Sequence, residues 1–263
     1  MISVSICTYH TATDELDRCF DSLTSPVVDS ITIVDNGNER RLADYAKSKN
    51  INYIPLDNPG YGAAHNRALL STASRYHLVV NSDVSFEPAL LDHLAAVMDA
   101  NPEVTQLQPR VLLADGTDQY ASRRLPSPWI LIGRRFFPRL IERANRRYLL
   151  QDMDLTQPLR VPYQTGCFML VRTAEAVAIG GFDERFFMYP EDIDLSRRLN
   201  RRGPVVYYPG RTIIHAHAAD SYRSRRMLKI HVVNMTRYFL KWAFENRRRD
   251  NATIAPYPLR RPK

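Results

Sequence analysis

Four stretches of the chain hold residue types that do chemistry once they are gathered. Asn81-Ser82-Asp83 follows the apolar run His77–Val80. A carboxylate at such a strand end can hold Mg²⁺ or Mn²⁺ on a diphosphate, because phosphate and water supply the other oxygens. The same three residues also suit a turn that closes a strand. Asn58 to Asn66 (NPGYGAAHN) places Gly60 and Gly62 before a helix start, where backbone N–H groups approach a phosphate or ribose closely. It lacks the Lys and Ser/Thr of a P-loop, and a plain turn explains it equally well. Phe186 to Asp194 (FFMYPEDID) sets Glu191, Asp192 and Asp194 behind a wall of aromatic and Met side chains. A poorly hydrated carboxylate there acquires a raised pKa suited to deprotonating a hydroxyl, although acids at a helix start also complement its dipole. His215 and His217 share one face if Thr212–His217 is a strand, and either could ligate a metal or orient a phosphate.

Such residues need a frame. Ile2–Cys7, Ser30–Val34, Ile51–Pro55 and His77–Val80 have the composition of short strands. Between and after them, Asp14–Leu23, Arg40–Lys49, Ala63–Ser71 and Pro88–Ala100 carry apolar residues at helical spacing. This alternation predicts an α/β fold, with parallel strands covered by helices on both faces and ligands at the carboxyl ends of the strands. Thr8-Tyr9-His10, Asp35-Asn36 and Asn81-Ser82-Asp83 all fall at those ends. Further along, Thr105–Leu113, Val161–Val171 (broken at Gly166), Val205–Tyr208 and Thr212–His217 predict strands, and Ser224–Asn246 predicts a closing helix. Asp250–Lys263 has no pattern and is expected to wrap the surface or fray.

With 263 residues, 44% hydrophobic and 24% charged, the chain can bury a full core. No apolar run reaches the roughly 18 residues of a spanning helix, and the first residues open directly into a strand without the features of a leader. Cys7, Cys19 and Cys167 have neither metal spacing nor a disulfide framework, which suits a reduced, cytoplasmic setting. The net charge of +8 is local. Residues 122–149 hold eight Arg against Glu142, and residues 222–263 hold twelve Lys or Arg against Glu245 and Asp250. The rest of the chain is acidic, so two segments face an anionic partner rather than the whole surface. In both, arginines interleave with Trp, Phe or Ile, a pattern suited to an interfacial helix on an anionic leaflet or to a solvated helix packed by its apolar stripe. A pI of about 9.5 raises nucleic-acid binding as a competing reading, weakened by the acidic character of the expected crevice.

Taken in order, these residues resemble the family 2 glycosyltransferases with the GT-A fold, in particular the rhamnosyltransferase-like branch of bacterial surface-polysaccharide enzymes. The most specific stretches are Thr165–Arg172 (TGCFMLVR) and Gly180–Leu195 (GGFDERFFMYPEDIDL). The resemblance implies a Rossmann-like, mostly parallel mixed sheet over residues 1–221, with a nucleotide-sugar half (1–100), an acceptor and catalytic half (101–221) and a basic C-terminal helix and tail (222–263). It implies an inverting transfer from a nucleotide diphosphate sugar, with a dTDP- or UDP-sugar such as dTDP-rhamnose as donor, to a glycan or lipid-linked hydroxyl. Thr8, Tyr9, Asp35, Asn58, Gly60, Gly62, Asn66, Asn81 and Asp83 correspond to donor-side positions. Asp192, beside Glu191, corresponds to the catalytic base, and Gly166, Tyr189 and Asp194 fall on the acceptor side. Asp83 and His215, with His217 as a second choice, would hold Mg²⁺ or Mn²⁺. Asn81 stands where a second carboxylate could have been. The partners implied are the donor, the acceptor and an anionic membrane on its cytoplasmic face, without nucleic acid. A nucleotidyltransferase, or a nucleotide-sugar-binding module without turnover, would use the same crevice; Asp83, Glu191 and Asp192 argue against the inactive form.

Overall fold

Alternation of side chains along the first strand sets the frame. In β1 (Ile2–Thr8), Ile2, Val4 and Ile6 enter one apolar core while Ser3 and Ser5 point to the other face. The computed structural model describes residues 1–216, 225–244 and 250–262, Arg225 by its backbone only. After β1 come α1 (Thr13–Ser22), β2 (Val28–Asp35), α2 (Arg40–Ser48), β3 (Asn52–Pro55), α3 (Tyr61–Leu69), β4 (Tyr76–Val80), β5 (Val84–Ser85) and α4 (Ala89–Ala100). The middle holds β6 (Gln106–Leu113), β7 (Ser122–Arg123), α5 (Pro128–Phe136), α6 (Glu142–Tyr148), β8 (Leu159–Arg160), β9 (Tyr163–Gln164) and β10 (Phe168–Arg172). The chain continues with α7 (Thr173–Ala178), α8 (Glu191–Leu199), β11 (Val205–His215), α9 (Arg225–Lys241) and β12 (Ala255–Pro256).

The main sheet runs β12-β8-β11-β6-β10-β4-β1-β2-β3, with β5 added beside β11. Pairing is parallel among β3, β2, β1 and β4 and again between β6 and β11, while β10 runs antiparallel between β4 and β6. The carboxyl ends of β1, β2, β4, β6 and β11 therefore open on one edge. Helices cover both faces, as expected. Leu16 and Cys19 of α1, Leu42 of α2 and Leu91, Leu94 and Met98 of α4 share one core with Ile6, Leu78 and Leu170. Leu69 of α3, Ala176 of α7 and Leu195 and Leu199 of α8 share the other with Val79, Met169 and Val171. A third cluster joins Ile130 of α5, Tyr148 of α6, Ile193 of α8 and Met235, Tyr238 and Trp242 from α9 and the residue after it.

On the α3 face a buried polar chain crosses the strands. Ser3 Oγ lies 2.8 Å from His77 Nδ1, Ser5 Oγ lies 2.8 Å from His77 Nε2, and Ser5 Oγ also lies 2.6 Å from His65 Nδ1. Burial drives both histidines down to about 3, so they are neutral at ordinary pH.

Several boundaries differ from the sequence reading. Val161–Val171 is not one strand. Tyr163–Gln164 pairs with β7 in a separate two-stranded sheet, and only Phe168–Arg172 enters the main one, because the chain changes sheets across Thr165 to Cys167. Val205–Tyr208 and Thr212 onward form a single strand whose pairing with β6 jumps between Tyr208 and Thr212. The last segment neither frays nor merely wraps. Ala255–Pro256 pairs with β8, and Asn101 exchanges two hydrogen bonds with the Arg260 backbone.

Candidate active site

The carboxyl ends of the strands gather most of the candidate residues. At the end of β4, the chain turns through Asn81 and Asp83 into β5, which hydrogen-bonds β11 and so brings His215 alongside. His215 Nε2 lies 3.1 Å from Asp83 Oδ1, and Asn81 Nδ2 lies 3.3 Å from the same nitrogen. The other ring nitrogen is 2.9 Å from Gln119 Oε1, which fixes the orientation of the imidazole. Burial alone would lower the basicity of His215, but hydrogen bonds with Asp83 and Cys167 overcome it and push the ring up to about 10. A divalent cation suits this pair. Asp83 Oδ1 and His215 Nε2 would hold it as one oxygen and one nitrogen donor, the cation taking the place of the proton that now lies between them. Among the described residues no group of three or more His, Cys, Asp or Glu converges, so phosphate and water would complete the shell. His217 lies outside the described residues.

The second half of the site is the start of α8. Asp192 Oδ1 accepts the Ile193 N–H at 2.7 Å and Oδ2 accepts the Gly166 N–H at 3.1 Å. Gly166, expected beside an acceptor, thus also holds the carboxylate, and a Cβ there would touch Tyr61 and Asp192. Burial raises the Asp192 pKa, against the pull of these N–H groups and of the Arg123 charge. Glu191 is pushed up further, by deeper burial and by Asp192 beside it, and its Oε2 has no hydrogen-bond partner. The two neighbouring carboxyl groups thus sit in different surroundings, Asp192 held by two backbone N–H groups and Glu191 with one oxygen unserved.

Tyr61 joins the halves. Its hydroxyl sits 2.9 Å from Asn81 Oδ1 and 2.8 Å from the Gly166 carbonyl, so one side chain contacts the residue beside His215 and the residue that holds Asp192. The segment before and within β7 does the same from the opposite side, because Gln119 orients His215 while Arg123 lies near Asp192. Neither Tyr61, Gln119 nor Arg123 was singled out by the sequence reading. Tyr61 lay inside the NPGYGAAHN loop, where the only signal was a phenol between two glycines.

Other candidates take different places. Thr8 Oγ1 donates to Asp35 Oδ1 at 3.0 Å at the ends of β1 and β2. Asp35 also accepts from Gly37 N, Glu39 N and the Tyr53 hydroxyl. Four donors fill its lone pairs and the residue has no exposed surface, so Asp35 is a strut for this turn and offers no free acceptor to a base or ribose. Tyr9 is 56% exposed and packs its ring on His10 at the mouth. Asn58 takes a positive φ of 52° in the turn before α3. Gly60, at φ +113°, lets the Phe187 backbone come so close that a Cβ would collide with its carbonyl oxygen. Gly62 admits the Phe182 ring, and Asn66 is buried, bonded to the Phe182 backbone at both N and O. These three bind the 180–190 loop to α3. Tyr189, in that loop, faces His231 of α9 at a ring separation of 5.1 Å. Asp194 points the other way, into the third cluster. It is fully buried and held by Arg198 at 2.7 Å, Trp242 at 2.9 Å and Lys241 at 2.6 Å, an architectural position without access to an acceptor.

A cleft of about 720 Å³ lies at the opposite, amino ends of the strands, lined by residues such as Met1, Ser3, Asp29 and Thr32. It contains none of these candidates.

An α/β sheet with an acidic crevice at its carboxyl ends, a carboxylate–imidazole pair and a buried carboxylate pair matches the GT-A architecture. The chain belongs to glycosyl transferase family 2, whose family model matches residues 3–175. It is accordingly a glycosyltransferase of the inverting kind, and the nucleic-acid and non-catalytic readings are not favoured. Among curated relatives it is similar to the N-acetylglucosaminyl-diphospho-decaprenol L-rhamnosyltransferase of Mycobacterium tuberculosis, 29% identical over 214 residues, covering 73% of this chain and 67% of that one. It is also similar to the rhamnosyltransferase WbbL of Escherichia coli, 36% identical over 101 residues, 37% of this chain and 38% of that one. The solved structure of GalNAc-T7 with UDP, GalNAc and Mn²⁺ has the same fold, with a TM-score of 0.63 and 14% identity over 88% of this chain; the match spans 46% of that chain.

Proposed function

We propose that this chain moves a deoxyhexosyl group, rhamnose in the first instance, from a dTDP- or UDP-linked donor to a hydroxyl of a lipid-diphosphate-linked sugar. The reading carries over the activity of the mycobacterial relative, a rhamnosyltransferase acting on a decaprenol-linked substrate. In it residues 1–100 serve the donor, residues 101–221 serve the acceptor and residues 222–263 close over the latter half. The enzyme would work in the cytoplasm at the inner face of the membrane; among the described residues no helix is long and apolar enough to cross one.

Asp192 takes the proton of the acceptor hydroxyl as that oxygen bonds the anomeric carbon. The bond from the carbon to the diphosphate oxygen breaks in the same step, and its electron pair leaves with the diphosphate. A single displacement inverts the centre and needs no protein nucleophile. Asp83 and His215 would hold Mg²⁺ or Mn²⁺, which when bound supplies positive charge to the leaving diphosphate. Tyr9 at the rim and the turn at Asn58 and Gly60 flank the donor side, and Tyr189 flanks the acceptor side.

The observation that carries this reading is the clamp on Asp192, a buried carboxylate held by the Gly166 N–H and linked through Tyr61 to the Asn81, Asp83 and His215 group. Asp192→Asn keeps the shape and removes the base. It should abolish transfer while leaving donor binding, read by thermal shift with nucleotide diphosphate sugars, within about twofold of the parent. Transfer by Asp192→Asn at the parent rate would sink the assignment.

A further inference from the structure

Helix α5 has two apolar stripes and packs only one of them. Ile130 and Gly133 face inward, and Gly133 lies so close to Ile141 that a Cβ would sit 2.7 Å from its methyl carbon. Trp129, Ile132 and Phe136, at helical spacing i, i+3, i+7, face outward, with Trp129 80% exposed and Phe136 62% exposed. The turn into α6 continues the patch with Phe137 and with Leu140, 82% exposed. Beside it, Arg139, Arg143, Arg146 and Arg147 line an open cleft of about 710 Å³ together with Glu142 and Asp152. Two basic residues in the second half of α9 are committed differently. Lys241 pairs with Asp183 and Asp194, and Arg237 bonds the Arg185 carbonyl. Exposed apolar residues also occur at Val232, Leu240 and Phe244, but the stripe that adjoins an arginine-lined cleft is that of the α5–α6 hairpin.

We propose that the α5–α6 hairpin is a membrane-docking element that inserts Trp129, Phe136, Phe137 and Leu140 between anionic lipid headgroups, which Arg139, Arg143 and Arg146 bind. The chemistry favours lipid over nucleic acid, because Ile132 and Leu140 join the aromatic rings into one continuous apolar wedge, and such a wedge rimmed by arginine suits an interface with anionic headgroups. The element also stands near the reaction. Arg135 of α5 lies close to His231, whose ring packs on Tyr189, two residues before Glu191. Docking there would bring the Asp192 side of the crevice to the leaflet. This purpose rests on the proposed lipid-linked acceptor, while vesicle binding by the hairpin stands without it.

The test uses the full chain with phosphatidylcholine vesicles, with and without phosphatidylglycerol. Of the two tryptophans, Trp242 is buried at 8% exposure, so a change in emission reports Trp129, and Trp129→Phe serves as the spectroscopic blank. Anionic vesicles should shift Trp129 emission to the blue and carry the protein upward in flotation, and neutral ones should do so at least about tenfold less well. Replacing Phe136, Phe137 and Leu140 together by Ser should weaken binding by about three orders of magnitude, since each buried side chain contributes roughly tenfold. Arg139→Gln with Arg143→Gln and Arg146→Gln should cost roughly fivefold per arginine and flatten the salt dependence. Transfer to a short, water-soluble acceptor should stay at the parent level in both variants. Failure of the parent to bind anionic vesicles, or binding by the Ser variant as tight as the parent's, would overturn the proposal. So would self-association through the patch or retention by mixed DNA in place of vesicles. Vesicle binding without any sugar transfer would uphold the docking element and remove the reaction reading instead.

Discussion

Tyr61→Phe deletes one oxygen and tests whether the two halves of the site are built as a unit. The lost hydroxyl faces two acceptors, Asn81 Oδ1 at 2.9 Å and the Gly166 carbonyl at 2.8 Å, and has one proton to share between them. Leaving these half-buried acceptors unserved costs about 1–2 kcal/mol. For a chain of this size that lowers the Tm by about 2–8 °C. The functional loss should be separable from this. Gly166 N holds Asp192 and Asn81 contacts His215, so relaxation of either moves a reacting group. A displacement of about half an ångström should lower kcat/KM by about tenfold, given about a hundredfold for a full ångström. Tyr61 is here a positioning residue, and a purely structural role would not change the cation requirement. Initial rates should therefore be measured against acceptor and against Mn²⁺, below the melting range of the variant. The expectation is a lower kcat together with a higher Mn²⁺ concentration at half-maximal rate. A variant that melts lower but keeps kcat and the Mn²⁺ requirement within about twofold of the parent would refute the coupling.

Three further outcomes follow from the geometry. His65 and His77 are held by burial at about 3, against 6.5 in the unfolded chain, so unfolding takes up protons that the fold refuses. Their stabilisation is whole above about pH 6.5 and drains as pH falls toward 3, so between pH 7.5 and 5.5 the parent should lose about 1.4 kcal/mol more stability in urea unfolding than a His77→Gln variant that keeps every other titrating group, and equal losses would contradict it. Gly60→Ala forces a Cβ against the Phe187 carbonyl at φ +113° and should cost about 1–3 kcal/mol or more in the same assay; a neutral result would mean that the loop yields freely. Asp83→Ala should raise the Mg²⁺ or Mn²⁺ concentration for half-maximal transfer by about tenfold or more, and a transfer rate untouched by EDTA in the parent would dismiss the cation site.

Much of the first hundred residues was legible because each strand–helix unit repeats a simple physical pattern. Ile2, Val4 and Ile6 alternate, and Leu90, Leu91, Leu94, Val97 and Met98 keep helical spacing, so burial follows the periodicity. Asp83, Asp192 and His215 were identifiable as candidates from residue type and position at element ends. What escaped was long-range. Tyr61 meets Gly166 from 105 positions away, and Gln119 meets His215 from 96, contacts that no local window contains. Asp35 and Asp194 were misleading for a related reason. A carboxylate in a sequence looks available until its donors are counted, and each of these is surrounded by donors drawn from several elements. Tail pairing was invisible because β12 is two residues long and depends on β8 as its template.

The order in which the molecule becomes complete follows from the clamp around α8. Asp250 bonds Arg197 at 2.6 Å, and Lys241 and Trp242 enclose Asp194, two residues past Asp192. During synthesis Asp83 and Asp192 leave the ribosome well before Lys241 and Asp250 do. A nascent chain would thus display both of these carboxylates while the helix that bears one of them still lacks its fasteners, and domains settle as units only when their parts are present. Catalytic competence should arrive late and abruptly, with the last elements to dock.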